Sequence, residues 1–132
     1  MAGVPLDLAH LPEAVFGFLA QRHLATLTTL RADGSPHVVP VGFTYDPGEG
    51  LVRVIALAGS QKVRNAERQG RAVVCQVDGG RWLSLEGRSR VTADPDRVAL
   101  AVAAYARRYR QPGENPERVA IEITVERMLG RA

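Results

Sequence analysis

The stretch LATLTTLRADGSPHVVPVGF, residues 24–43, decides the fold class. From Leu24 to Arg31 apolar and polar residues alternate, the period of a strand with one face toward a core. Ala32-Asp33-Gly34-Ser35 is a turn signal, and Pro36 to Tyr45 is β-rich again. The two runs therefore predict a hairpin.

Downstream, Asp46-Pro47-Gly48-Glu49-Gly50 predicts a second turn and Leu51 to Ala58 a third strand, apolar except for Arg53 on one face. Ser60 is placed to cap a short helix from Gln61 to Gln69, closed by Gly70. Ala72 to Val77 returns to β-structure, Asp78-Gly79-Gly80 turns the chain, and Trp82 to Thr92 follows with Gly87 as a bulge or bend. Asp94 and Pro95 start a helix along which Val98, Val102, Tyr105 and Tyr109 share a face. Arg107, Arg108 and Arg110 crowd its C-terminus, where cations complement the helix dipole. Pro112 to Pro116 is a loop and Val119 to Leu129 a last strand. Upstream, Leu11, Val15, Phe18 and Leu19 mark an amphipathic entry helix over Leu11 to Arg22, with Pro12 in its first turn. Six antiparallel strands with two or three helices hide their edges best by curling into a barrel, so the chain is expected to be mainly β with α, one domain over residues 1–132.

Hydrophobic residues at 45% and charged residues at 23% suit a globular domain, and no apolar run is long enough to span a bilayer. No signal peptide is read, and the single cysteine, Cys75, lies in an apolar run as a buried inert thiol, so a reducing cytoplasm and no membrane partner are expected. The net charge of +3 is scattered, with no Lys/Arg run longer than two, which argues against nucleic acid. Sixteen of the seventeen basic residues are arginine, so the lone lysine, Lys62, stands out.

Several chemistries find no support. There is no Gly-x-Ser-x-Gly elbow, no Gly-x-Gly-x-x-Gly or Walker loop, and His10, His23 and His37 are isolated with one cysteine, which argues against a metal site. What remains is Gly59-Ser60-Gln61-Lys62-Val63-Arg64-Asn65, where a strand end passes into a helix start. Backbone N–H groups there, with the Lys62 ammonium and the Asn65 amide three residues on, form a cradle for a phosphate. A solvated helix face with a capping serine accounts for the same pattern.

The 24–43 hairpin resembles the opening of the pyridoxamine 5'-phosphate oxidase-like superfamily, and GSQKVRN at 59–65 falls where that superfamily holds its cofactor phosphate. QVDGGRWLSLEGR at 76–88 and RRYRQP at 107–112 are similar, more narrowly, to its deazaflavin (F420)-dependent branch and to the F420-dependent biliverdin reductases within it. The likeness runs from Leu11 to Gly130. It implies an FMN-binding-like split β-barrel and a homodimer with two cofactor sites at the subunit interface. It further implies that Lys62 and Asn65, helped by Ser60 and Gln61, hold the cofactor phosphate. Val39, Pro40, Val41 and Gly42 would lie against the deazaflavin ring through main-chain groups, and Gln76, Arg81 and Trp82 would line the ring and the substrate side. Trp82 serves equally as dimer core and Arg81 as a solvated turn residue. Arg81 with Arg107, Arg108 and Arg110 would pair with substrate propionates or the anionic cofactor tail.

The implied activity is hydride transfer from reduced F420 to a conjugated acceptor, biliverdin being the candidate small-molecule substrate, with no catalytic side chain and the proton drawn from solvent or an arginine-bound water. The C-terminal Arg/His motif of pyridoxamine phosphate oxidation and the Arg-rich FMN phosphate signature are both missing. That shifts the expectation from FMN toward F420, with an FMN-binding oxidoreductase or a non-catalytic F420 carrier as the alternatives.

Overall fold

The computed structural model describes residues 4–132. The expected hairpin is present: β1 (Ala25–Leu30) pairs antiparallel with β2 (Pro36–Val41) in the register Leu27 to Val39, across a turn where Gly34 has φ +86°. Next come β3 (Thr44–Asp46), β4 (Leu51–Leu57), β5 (Arg71–Asp78), β6 (Arg81–Thr92) and β7 (Arg118–Arg131), with helices α1 (Glu13–Ala20), α2 (Gln61–Glu67) and α3 (Pro95–Arg108). All seven strands form one antiparallel sheet in the order β2-β1-β5-β6-β7-β4-β3.

Seven strands rather than six arise because the run from Pro36 to Tyr45 breaks at Gly42 and Phe43. Its two halves lie at opposite edges of the sheet, yet only those two residues join them. Two residues reach only about 7 Å, so the sheet must curl until its edges meet. The barrel is closed by covalent chain at that point and not by a ladder of hydrogen bonds, which is what makes it split. Phe43 plugs the junction, fully buried. Gly42 must be small, since a Cβ there would sit 3.0 Å from both the Tyr105 and Tyr109 rings.

Alternation fills the interior. Leu27, Val54, Val74, Leu83, Leu85, Ile121 and Ile123 point inward, and α1 adds Val15 and Phe18. Each such side chain contributes about 1.5–3 kcal/mol by leaving water. The expected bulge in β6 is found as a register shift between Glu86 and Gly87, where a Cβ would stand 1.7 Å from the Thr124 carbonyl oxygen.

The helices are shorter than their sequence patterns. Pro12 is the N-cap of α1 and not part of its first turn, and α2 is terminated by Gln69 at φ +55° ahead of Gly70. On α3 the deepest residues are Ala101 and Arg108, whereas Val98, Val102 and Tyr105 are half-buried. A polar layer explains this. Glu122 on β7 has no exposed surface and takes forked bonds from Arg90 (2.8 and 2.7 Å) and from Arg97 on α3 (2.8 and 2.6 Å). Arg97 also reaches Glu49 (3.1 Å), which with Asp46 pairs the buried Arg53 (2.5 and 2.9 Å). The helix is thus held by ions at one end as well as by apolar contact.

Candidate functional site

The strand-to-helix junction after β4 is where the sequence leads one to expect an anion. Gly59 takes φ +85°, Ser60 follows in extended conformation, and α2 begins at Gln61. Ser60 occupies the N-cap position, but its hydroxyl makes no capping bond; Oγ is buried and has no hydrogen-bond partner among the described residues. A buried hydroxyl without a partner costs free energy, so an acceptor that reached this atom would be stabilising. The residue lines a cavity of about 380 Å³ shared with Lys62, Tyr105, Asn115 and Arg118. Lys62 is half-buried and has no hydrogen bond or ion pair among the described residues, and no carboxylate lines the cavity. A hydroxyl donor and two cations around one open space is the donor set of a phosphate or carboxylate site.

Asn65 departs from the reading that pairs it with Lys62. It is 3% exposed, donates to Thr29 Oγ1 (3.1 Å) and accepts from Gln61 (2.7 Å) and Arg68 (2.9 Å), so its amide is spent tying α2 to β1. Three residues along a helix leave a 60° offset, enough to turn one side chain inward and the other toward the cavity. Gln61 is likewise engaged at both ends, by Asn65 and by Arg64 (2.7 Å). Sequence reasoning missed Arg118, Asn115 and Tyr105. Arg118 has no local signal; it arrives because β4 and β7 pair with Leu57 opposite Arg118, and it holds the 112–116 loop through the Gly113 carbonyl (2.7 Å).

The second group of expected residues divides in the same way. Val39 and Val41 face the core, while Pro40 is exposed on β2, an edge strand with no neighbour on its outer side, where the sheet tolerates proline. Gln76 is fully buried, donating to the Phe18 carbonyl (3.0 Å) and accepting from Arg108. Arg108 departs furthest from a ligand role. It is 9% exposed, donates to the carbonyls of Gln21 (2.9 Å) and Phe43 (2.6 Å) as well as to Gln76, and stacks 4.8 Å from the Phe43 ring. Burial pulls its guanidinium below the usual arginine value. Both residues are internal braces, because the Gly42–Phe43 crossover leaves a buried carbonyl that needs a donor. Arg81 pairs with Asp78 (2.5 Å) and lies over the Phe18 ring at 4.5 Å. Trp82 is half-buried on the outer face of β6, opposite Val77. Arg107 and Arg110 are exposed and have no bonded partner among the described residues.

Among the described residues no cluster of His, Cys, Asp and Glu is arranged to hold a metal. Burial raises the Cys75 thiol above its ordinary value, so it is a poor thiolate nucleophile.

Comparison with known proteins agrees with this architecture. The family model described as pyridoxamine 5'-phosphate oxidase matches residues 11–132. The chain belongs to the pyridoxamine 5'-phosphate oxidase family. Within it, an F420H2-dependent biliverdin reductase of Mycobacterium tuberculosis (strain CDC 1551 / Oshkosh) is 59% identical over 122 residues, spanning 92% of this chain and 89% of the relative. A solved structure named F420 reductase matches with TM-score 0.71 at 25% identity, over 89% of this chain and 98% of that one. A conserved hypothetical protein of M. tuberculosis shares the fold at TM-score 0.77 and 23% identity, over 92% of this chain and 85% of that one.

Proposed function

We infer that this family member is an F420H2-dependent reductase that passes a hydride to a conjugated acceptor, biliverdin being the acceptor its 59%-identical relative is named for. The observation in the fold that carries the reading is the unpartnered Ser60 hydroxyl beside the unpaired Lys62 ammonium, in a cavity free of carboxylates. These residues fit the phosphate of the F420 tail, with Arg118 closing the far side. F420, when bound in reduced form, supplies the hydride, and the protein's part is placement and charge. The edge strand through Val39, Pro40, Val41 and Gly42 offers main-chain groups to the ring. Arg107 and Arg110, exposed and unpaired, serve the acceptor's carboxylates, a role Arg108 gives up to bracing the crossover. The proton comes from water in this reading.

The protein acts as a homodimer in this reading. Leu24 and Val77 expose 66 and 63% of their surface near the half-buried Trp82, and Val38 exposes 57% further along the same outer face, apolar surface that a second copy would cover. In this reading the protein acts in the cytoplasm; no helix among the described residues is long and apolar enough to cross a membrane.

The test is to follow F420H2 absorbance with and without biliverdin, alongside FMN and NADPH. Turnover with F420H2 alone supports the reading; FMN co-purifying with the protein while F420 fails to bind overturns it. Lys62→Ala removes one charge-assisted contact, about 1.5–3 kcal/mol, and is expected to weaken F420 binding by roughly ten- to a hundredfold with little change in melting temperature.

A further inference from the structure

A second cavity, also about 380 Å³, lies against the first and shares Tyr105 with it as a wall. Its other lining residues are Arg22, Leu24, Tyr109 and Arg110. Arg22 comes from the segment after α1 and Arg110 from just beyond α3, so nothing local in the sequence joins them. Neither guanidinium has a hydrogen bond or ion pair among the described residues, and no carboxylate lines the cavity. Arg53, Arg71, Arg81, Arg90 and Arg97 each have an acidic partner, and Arg22 and Arg110 have none among the described residues. Two unpaired like charges facing one space repel each other unless an anion stands between them.

The aromatic wall is rigid. The Tyr105 and Tyr109 rings lie 4.9 Å apart at 34°, and the Tyr109 hydroxyl donates to the His23 carbonyl (2.7 Å) while accepting from the Phe43 N–H (3.2 Å). Gly42 is what lets both rings approach the crossover so closely. The cavity therefore combines an aromatic wall with two arginines, whose forked guanidinium donors are suited to a carboxylate.

We propose that Arg22 and Arg110 form a carboxylate clamp beside the Tyr105–Tyr109 wall, taking a carboxylate of a ligand whose remainder reaches past Tyr105 toward Ser60 and Lys62. This rests on the reductase reading above and adds to it a site and a residue, Arg22, that the reading does not contain. Two ligands of that reaction carry such groups, the acceptor through its propionates and the cofactor through its glutamate tail.

Arg22→Gln, Arg110→Gln and the double variant separate the sources by equilibrium binding, without turnover. Cofactor-free protein is titrated by absorbance with biliverdin and with its dimethyl ester, and by fluorescence with F420 and with the same deazaflavin lacking its glutamates. An acceptor carboxylate in the clamp makes the wild type prefer free biliverdin over the ester by about tenfold, the scale of one charged hydrogen bond, and the variants erase that preference. A cofactor carboxylate instead drops F420 binding in the variants to the level of the shortened deazaflavin. Either result supports the clamp and names its ligand. Unchanged titrations in both arms of the double variant, in a wild type that binds both ligands, overturn it. A wild type that binds neither ligand overturns the reductase reading and the clamp together. The variants are expected to keep the wild-type melting temperature, since neither side chain is bonded to the fold.

Discussion

Replacing Arg108 by methionine keeps an unbranched, apolar stem and removes every donor, which separates a brace from a ligand contact. In the folded chain Arg108 supplies the Phe43 carbonyl at 2.6 Å, the Gln21 carbonyl at 2.9 Å and the Gln76 amide oxygen. Gln76 is fully buried and its amide oxygen has no other donor among the described residues, so in Arg108→Met it is stranded with no water to replace the guanidinium; the buried Phe43 carbonyl keeps only the 3.2 Å contact from the Tyr109 hydroxyl, which is shared with the His23 carbonyl, while the Gln21 carbonyl lies beside an exposed side chain. At about 1–3 kcal/mol for each stranded acceptor, and with part of the loss recovered by burying the thioether, the variant should be destabilised by about 3 kcal/mol. That is a large fraction of the roughly 5–15 kcal/mol typical of a domain, and corresponds to about 10–12 °C in melting temperature for a chain of this size. Thermal and urea unfolding would measure it. Well below the variant's melting temperature, the KM for acceptor should stay within about twofold of wild type, because the guanidinium is 9% exposed and already engaged. Unchanged stability together with a tenfold rise in KM would refute the bracing role and return Arg108 to the ligand.

Glu122→Gln replaces a carboxylate that binds two arginine forks with an amide whose N–H₂ faces one of them. A loss of about 2 kcal/mol is expected in urea unfolding. Burial raises the Glu122 pKa, but the bonds from Arg90 and Arg97 outweigh it and hold the group below the ordinary 4.5. Its contribution is then fully present above that value and is lost as pH falls through the lower folded pKa, so the stability gap between wild type and variant should be constant at neutral pH and narrow only in acid. Gly87→Ala would place a methyl group 1.7 Å from the Thr124 carbonyl oxygen, on backbone that cannot swing aside. This variant should fail to accumulate as folded protein, and normal expression with a wild-type melting temperature would show that the bulge can relax.

Much of the architecture was legible from local pattern. The hairpin at 24–43, the turn glycines and the Gly87 bulge all follow from residue spacing and backbone preference, which act over a few positions. The break at Gly42 was not legible, because Pro36 to Tyr45 reads as one continuous β-rich run. Only the barrel's need to pass its chain from one edge to the other splits that run. Of the candidate site, Ser60 and Lys62 line one cavity and their side chains have no bonded partner among the described residues. Asn65, Gln76 and Arg108 are spent inside the fold, since a polar side chain looks the same in sequence whether it meets a ligand or an orphaned carbonyl.

The order of residues alone determined the secondary elements, the antiparallel β character and the junction that carries Lys62, because these depend on neighbours within about one helical turn or one hairpin. Tertiary structure decided which cations remain unpaired. Arg118 reaches the Ser60 cavity through the pairing of β4 with β7, and Arg22 and Arg110 line one cavity because Arg108, at the end of α3, is bonded to the Gln21 carbonyl just after α1. The availability of a charge is set by every group that surrounds it in space, and those groups come from segments as much as 88 positions apart in the case of Arg22 and Arg110.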